Sequence, residues 1–152
     1  TRGTVKRLFR AAYRGAGLEK NARFMEVSPK PEREIGLAED VCFSAWPVTH
    51  KRESTGYRFM LGEKSVAVSG DTVMNHRLLS LVAGTDTAII ECSIMGERHP
   101  SHVSLEELRQ NLDRLMCGRL IPIHTSETIA EEMKRRQSRK IVIVRDGDRI
   151  IM

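Results

Sequence analysis

The hydrophobic pattern of the chain changes its period near residue 75. Before that point, apolar and polar residues alternate over 41–48, and the short segments 56–61 and 65–68 are separated by a Gly-Glu-Lys connection of hairpin length. Beyond it, stretches with helical spacing alternate with short apolar stretches. The pattern predicts helices over 75–82, 105–116 and 127–136, and buried strands over 87–90 and 119–123. Hairpins followed by alternating strands and helices predict an α/β fold, a mixed sheet with helices packed on it.

Weaker patterns predict further elements toward the two ends of the chain. Apolar residues at helical spacing predict a helix over 5–13, and a short strand is predicted over 22–27. Near the other end, strands are predicted over 140–144 and 149–152, on either side of an Asp146-Gly147 turn.

The composition excludes several classes of protein. With 152 residues, 40% hydrophobic and 30% charged, the chain can bury one core and does not fit a disordered or fibrous class. No apolar stretch approaches the ~18 residues of a membrane-spanning helix, so we expect no membrane contact. Three cysteines without a CxxC pair argue against a disulfide framework and favour a reducing compartment, so we expect a cytoplasmic protein.

The charge pattern permits an anionic partner without requiring one. The formal net charge is +5, and the acidic residues nearly balance the basic ones. The densest basic segment is 134–140. We interpret this segment as a solvated helix end, where cations interact favourably with the C-terminal helix dipole.

Three residues of metal-ligand type follow predicted strands. His50 and Asp71 come shortly after the strands over 41–48 and 65–68, and His124 comes directly after the strand over 119–123. Functional sites of α/β sheets collect at such strand ends. Imidazole and carboxylate are suitable donors for zinc, iron or manganese, and a carboxylate can bridge two ions. The positions of these residues therefore predict a metal site.

The residues around Asp71 carry a family resemblance. The segment Val66-Ala67-Val68-Ser69-Gly70-Asp71-Thr72 resembles the bridging-aspartate motif of metallo-β-lactamase-fold hydrolases. Pro47-Val48-Thr49-His50, followed by Gly56-Tyr57-Arg58-Phe59, resembles the metal-binding histidine and Gly-Tyr-Arg strand of ribonuclease Z and related phosphodiesterases.

Later motifs follow in the same order as in that family. Ile89-Ile90-Glu91-Cys92-Ser93 and His102-Val103-Ser104 resemble its Glu-Ala-Thr and His-Ser-Thr elements. Leu120-Ile121-Pro122-Ile123-His124-Thr125-Ser126 resembles the Leu-Thr-His-x-Ser strand end. Val144-Arg145-Asp146-Gly147 resembles the closing Asp-Gly hairpin.

The resemblance implies a role for each matched residue. His50 would bind one metal ion, Asp71 would bridge two and take part in catalysis, and His124 would bind the other ion. The ions would be divalent, with zinc, manganese or iron as candidates. His102 would stabilise the transition state or protonate the leaving oxygen, and Glu91 would orient His102. Two further histidines match no motif position, and we interpret both as surface residues: His76 and His99.

One departure from the family concerns the metal motif. The family's His-x-His-x-Asp-His motif is absent, and no His-x-His pair occurs in the chain. The resemblance thus implies that residues 1–152 form a single partial domain, the C-terminal portion of a four-layer αββα metallo-β-lactamase sandwich. We expect the rest of the site to come from the N-terminal half, a partner chain or a homo-oligomer. Alone, this chain is expected to bind metal weakly and to be nearly inactive.

The substrate class follows less directly from the resemblance. The long insertion of ribonuclease Z enzymes is missing, and Glu127-Thr128 stands where those enzymes have Arg-Tyr. The resemblance then favours a phosphodiesterase that uses metal-activated hydroxide on an anionic small phosphodiester, a cyclic nucleotide or RNA. Two alternatives stay open. One is an ester, thioester or lactone hydrolase of the same fold, and the other is a non-catalytic half that pairs with an active chain.

Overall fold

The computed structural model describes residues 25–136 and 138–151. The helix predicted over 5–13 and residues 22–24 of the strand predicted over 22–27 lie outside these residues. The described remainder of that strand, 25–27, has no regular secondary structure. None of the helices in the described ranges has the length and apolar character needed to cross a bilayer.

A six-stranded mixed sheet forms the centre of the fold. The strands occur in the sheet in the same order as in the chain. Their bounds are β1 Glu34–Ala38, β2 Val41–Pro47, β3 Thr55–Leu61, β4 Lys64–Val68, β5 Thr87–Glu91 and β6 Arg119–Ile123. β1 to β4 pair antiparallel, whereas β4, β5 and β6 pair in parallel. The predicted mixed α/β sheet is confirmed.

Three helices follow in the described residues, α1 His76–Val82, α2 Leu105–Gln110 and α3 Glu127–Arg135. Polar side chains begin each of them. Asn75 accepts hydrogen bonds from the first turn of α1, and Ser126 accepts one from the first turn of α3. Ser104 and Glu107 form the reciprocal capping box that their spacing predicts for α2.

The main core lies between the sheet and the helices. Leu78, Leu81, Leu105, Leu108 and Ile129 of the helices are almost fully buried together with strand residues that share one face of the sheet: Ala67, Ala88, Ile90 and Leu120. Each such Leu or Ile contributes roughly 1.5–3 kcal/mol relative to an exposed side chain. This core holds the strand ends in fixed positions relative to the loops that follow them.

The guanidinium of Arg58 in β3 caps the C-terminal end of α1. It donates hydrogen bonds to the carbonyls of Ser80, Leu81 and Ala83, and it also lies 4.8 Å from the centre of the Trp46 ring. These carbonyls belong to the last turn and would otherwise lack partners. Burial lowers the pKa of Arg58 from its ordinary value, although guanidinium remains charged at neutral pH. The buried cation is therefore stabilised by the negative end of α1.

α2 is six residues shorter than the predicted helix over 105–116. It ends at Gln110, and the Asn111 side chain donates a hydrogen bond to the Glu107 carbonyl. The Lys140 ammonium donates to the carbonyls of Leu112 and Leu115, and the Leu112 carbonyl is one that a helix continued to residue 116 would use for itself. The side chain of Asn111 and the cation of Lys140 thus replace the helical pattern beyond Gln110.

The strand predicted over 140–144 is reduced to a single bridge. Ile141 pairs with Leu120 through hydrogen bonds of 2.7 and 2.8 Å that flank it. The next bond of a parallel ladder would need an N–H group at Pro122, which proline lacks. The pairing therefore stops after one bridge.

The last predicted hairpin also forms only in part. The Asp146-Gly147 turn is present, with Gly147 at a φ of 90° and the Asp148 N–H bonded to the Arg145 carbonyl. The described residues 149–151 do not form the strand predicted over 149–152.

Candidate metal centre

The predicted ligands meet at one edge of the sheet. β2, β4 and β6 run in the same direction, so their carboxyl ends lie together. His50 follows β2, Asp71 follows β4 and His124 directly follows β6. The topology therefore brings together three residues that are up to 74 positions apart in the chain.

Asp71 stands between two histidines. Its Oδ1 lies 3.5 Å from Nδ1 of His124, and its Oδ2 lies 4.0 Å from Nε2 of His50. One carboxylate thus presents a different oxygen to each imidazole. This is the arrangement expected of a carboxylate that bridges two cations, each of which also has a histidine ligand.

A hydrogen bond orients the His50 ring. Its Nδ1 lies 2.9 Å from the carbonyl oxygen of Ser101, and a carbonyl can only accept a hydrogen bond. Nδ1 therefore carries a proton, and Nε2 is the ring nitrogen that faces Asp71. A backbone carbonyl that fixes the tautomer of a histidine is a recurrent partner of metal-binding imidazoles.

His102 is held by Glu91. Nδ1 of His102 lies 3.1 Å from Oε1 of Glu91, whose side chain is buried. Glu91 also accepts hydrogen bonds from the backbone N–H groups of Thr72 and Val103 and from the Ser93 hydroxyl. These donors stabilise the buried carboxylate, which fixes the orientation of the His102 ring.

His102 lies directly beside the predicted metal ligands. Ligand atoms of Asp71, His102 and His124 all lie within 4.8 Å of one another, and the ring centres of His50 and His102 are 5.0 Å apart. His50, Asp71, His102 and His124 therefore form one cluster, and Glu91 holds the cluster through its hydrogen bond to His102.

Local backbone geometry aims two of these side chains. His124 has a φ of 56°, in the left-handed region that non-glycine residues seldom adopt. Gly70, with a φ of 59°, makes the turn that precedes Asp71. A strained histidine that follows a buried strand is typical of functional sites, where the surrounding fold maintains the strain.

Cys92 does not contribute a ligand, although it follows Glu91 directly. Burial, and then the neighbouring Glu91 carboxylate, raise the pKa of Cys92 to about 12. The thiol is therefore protonated at neutral pH, whereas the metal-binding species of cysteine is the thiolate. All three cysteines are free.

The interpretation of His99 as a surface residue is wrong. His99 is half-buried, its ring centre lies 5.5 Å from that of His102, and its Nδ1 is hydrogen-bonded to Ser101. The signal available in the sequence was its spacing of three residues from His102, within one loop. His76, in contrast, is exposed at the start of α1, as predicted.

Comparison with known families agrees with this geometry. Residues 1–125 match the family model described as the beta-lactamase superfamily domain. The chain belongs to this superfamily. Its members are generally metal-dependent hydrolases, and they usually bind divalent metals. No curated protein sequence is significantly similar to the chain.

Solved structures show the same fold. A diphosphatase from the PhnP family aligns with a TM-score of 0.69 and 20% identity, over 97% of this chain and 55% of its own. The metallo-beta-lactamase fold protein YhfI from Bacillus subtilis aligns with a TM-score of 0.64 and 16% identity, over 78% of this chain and 52% of its own. Zn²⁺-bound PqqB from Methylobacterium extorquens aligns with a TM-score of 0.60 and 12% identity, over 81% of this chain and 51% of its own.

These alignments confirm that the described sheet and helices correspond to part of the metallo-β-lactamase fold. The chain spans about half the length of each of these three structures.

Proposed function

We propose that the protein is a metal-dependent phosphodiesterase whose ligands include His50, Asp71 and His124. The observation that carries the proposal is the position of Asp71, which presents one oxygen to each of two histidines. The donor set of imidazole nitrogen and carboxylate oxygen fits zinc, manganese or iron. Divalent ions at such a site would supply charge for a phosphoryl oxygen and lower the pKa of a bound water.

The described ligands are too few for two ions. A catalytic zinc ion usually has three protein ligands, whereas these three residues would have to serve two ions. We infer that the remaining ligands come from outside the described residues, either from the rest of a longer chain or from a partner subunit. The working site then forms only in the complete protein.

The pair of Glu91 and His102 supplies proton chemistry. Glu91 accepts the Nδ1 proton of His102, so Nε2 is the atom left to face the substrate. A protonated imidazole at this position can give a proton to the leaving oxygen or stabilise negative charge on the phosphoryl group.

Two features support a substrate with a negatively charged phosphoryl group. One of the similar structures is described as a diphosphatase, and the net charge of +5 favours approach of an anion. Within this class we propose a small phosphodiester, a cyclic nucleotide or RNA. The alternative class is a carboxylic ester, thioester or lactone, which would need no anionic attraction.

Hydrolysis by the full-length, natively purified protein tests this proposal. We expect bis(p-nitrophenyl) phosphate to be hydrolysed in preference to p-nitrophenyl acetate. Asp71→Asn keeps the side-chain shape but removes the charge, so kcat/KM should fall by more than the roughly 10–100-fold that is typical of changes outside the ligand shell. Asp113→Asn is the matched control, since Asp113 is exposed and distant in sequence from the cluster.

Two results would contradict this assignment. Equal activity in the Asp71→Asn and Asp113→Asn variants would remove Asp71 from the site. Preference for the acetate ester over the phosphodiester would move the protein to the acyl class.

A further inference from the structure

Cations are concentrated around the C-terminal end of α3. Glu132 is contacted by three guanidinium groups: Arg109 at 3.1 Å, Arg136 at 3.6 Å and Arg135 at 3.7 Å. One carboxylate therefore faces three positive charges. Arg135 and Arg136 are also largely exposed, with 75% and 73% of their side-chain surface accessible. We call these three arginines, together with Lys134 and Arg139, the basic cluster.

Lys134 and Arg139 add charge that no ion pair neutralises. Both are exposed, and within the described ranges neither side chain forms an ion pair or a hydrogen bond. The acidic residues nearest to these two in the chain are Glu131, Glu132 and Asp146. Even if all three are counted against the basic cluster, five cations and three carboxylates leave a surplus of two positive charges.

The helix dipole does not explain this surplus. It corresponds to roughly half a charge at the C-terminus and acts only within the last turn of a helix. Lys134 and Arg135 lie in the last turn of α3, but Arg109 comes from α2 and Arg139 lies beyond the end of α3. The interpretation of this segment as a solvated helix end therefore accounts for only part of the basic cluster.

The surface connects the basic cluster with the metal centre. His124 lines a groove of about 840 Å³ that runs along α3, and Lys134 lines the same groove. A second groove of about 490 Å³ contains Lys134 and Arg139. Lys134 and Ile143 line both grooves, so the grooves adjoin at these residues and together form a path from His124 to Arg139.

The length of this path sets the size of a matching ligand. α3 has nine residues, which corresponds to about 14 Å at 1.5 Å per residue. Successive phosphates along one stacked nucleic acid strand are spaced by roughly 3.4 Å of helix rise. The length of α3 thus matches at most about four nucleotides. Two cations, Lys134 and Arg145, and three carboxylates, Glu127, Glu131 and Asp146, line the first groove, so the attraction for a polyanion is concentrated at the far end.

We propose that the basic cluster is a binding site for the phosphodiester backbone of a single-stranded polynucleotide whose scissile bond lies at the metal centre. Arginine suits this role because its planar donors match two phosphate oxygens at once. The link to the metal centre rests on the proposed function, whereas binding of the strand itself does not. RNA contacts here would position the substrate without reading its sequence.

Binding of a fluorescent 12-nucleotide oligouridylate tests the proposal. The full-length protein is used after treatment with a chelator, so that the strand is not cleaved, and circular dichroism verifies the fold of each variant. The test variant is Lys134→Gln/Arg135→Gln/Arg139→Gln. The control variant, Lys30→Gln/Arg33→Gln/Arg77→Gln, removes the same charge from three other exposed cations. Anisotropy over a series of salt concentrations gives Kd and its salt dependence.

We expect Kd to rise by at least about tenfold in the test variant only. The slope of log K against log salt should also become shallower by roughly 2, because each lost phosphate contact removes about 0.7 on single strands. Hydrolysis of bis(p-nitrophenyl) phosphate by the metal-loaded protein shows whether the metal centre of each variant is intact.

Two outcomes overturn the proposal. In the first, the test and control variants have the same Kd and the same salt slope. In the second, the test variant loses binding to phosphatidylserine vesicles but keeps its binding to oligouridylate, which would assign the basic cluster to a membrane surface. Failure of the unaltered protein to hydrolyse any small phosphodiester contradicts the proposed function alone, and the binding comparison still decides the role of the basic cluster.

Discussion

At the scale of single residues, the position of Glu91 shows how the site is supported. This carboxylate is buried and accepts hydrogen bonds from two backbone N–H groups and one hydroxyl in addition to its contact with His102. A buried carboxylate needs such partners to remain charged. Glu91 thus fixes the loop before α2 and the His102 ring with the same side chain.

Replacement of Glu91 by Gln should separate positioning from ligation. The amide keeps the size of the side chain but holds the His102 ring less firmly than the carboxylate does, so we expect kcat to fall by about 10–100-fold with little change in KM. Metal content, measured by elemental analysis, should stay at the wild-type level.

His102→Ala is the companion variant for this experiment. If His102 only transfers or holds a proton, kcat falls and the metal content remains. Loss of metal in His102→Ala would show instead that His102 is a ligand, as its distance from Asp71 and His124 allows.

The sequence indicated most of these residues, because the strand ends and the motifs around them are local. His99 was missed for a physical reason. Its spacing of three residues from His102 places both in one loop, but their contact depends on how that loop folds over the strand ends, which the spacing alone does not determine. The left-handed backbone of His124 is likewise a consequence of the tertiary fold.

At the scale of elements, close backbone contacts fix the position of β6. A Cβ atom on Gly118, just before β6, would lie 2.7 Å from the carbonyl oxygen of Asp86, just before β5. The oxygen belongs to the backbone and the backbone fixes the position of the Cβ atom, so neither can rotate away. The register that carries His124 to the site therefore depends on a glycine at this position.

Gly118→Ala should destabilise the protein by about 1–3 kcal/mol, because the added methyl group forces the starts of β5 and β6 apart. Gly36→Ala in β1 is the control, since a Cβ atom there meets nothing within 4 Å, and it should change the free energy of unfolding by less than ~0.5 kcal/mol. Urea titrations of the full-length protein measure both. Equal stability of the two variants would show that the contact at Asp86 is not maintained in solution.

Element boundaries were predictable where capping or turn residues mark them. The starts of α1, α2 and α3 and the β3–β4 hairpin agree with the sequence within a residue or two. The end of α2 was not predictable, because it depends on Lys140, some thirty residues later, which donates hydrogen bonds to the carbonyls of Leu112 and Leu115. β1 was missed because it is an edge strand with an exposed, mixed composition.

At the scale of the whole molecule, the sheet has a second apolar face. Phe43, Tyr57 and Phe59 alternate away from the helices, and their ring centres lie 5.9 to 6.2 Å apart. The alignments with the related structures cover about half of each of those structures. Both facts agree with the prediction of a partial domain within a sandwich, which stays a prediction.

The most direct test of the account is the metal content of the natively purified full-length protein, compared with that of its Asp71→Asn variant. We predict close to two divalent ions per site in the unaltered protein and a clear reduction in the variant, because Asp71 faces both histidines that would hold them. A native protein that carries no divalent ion, or a variant with an unchanged metal content, would contradict the central claim that this edge of the sheet is a metal centre.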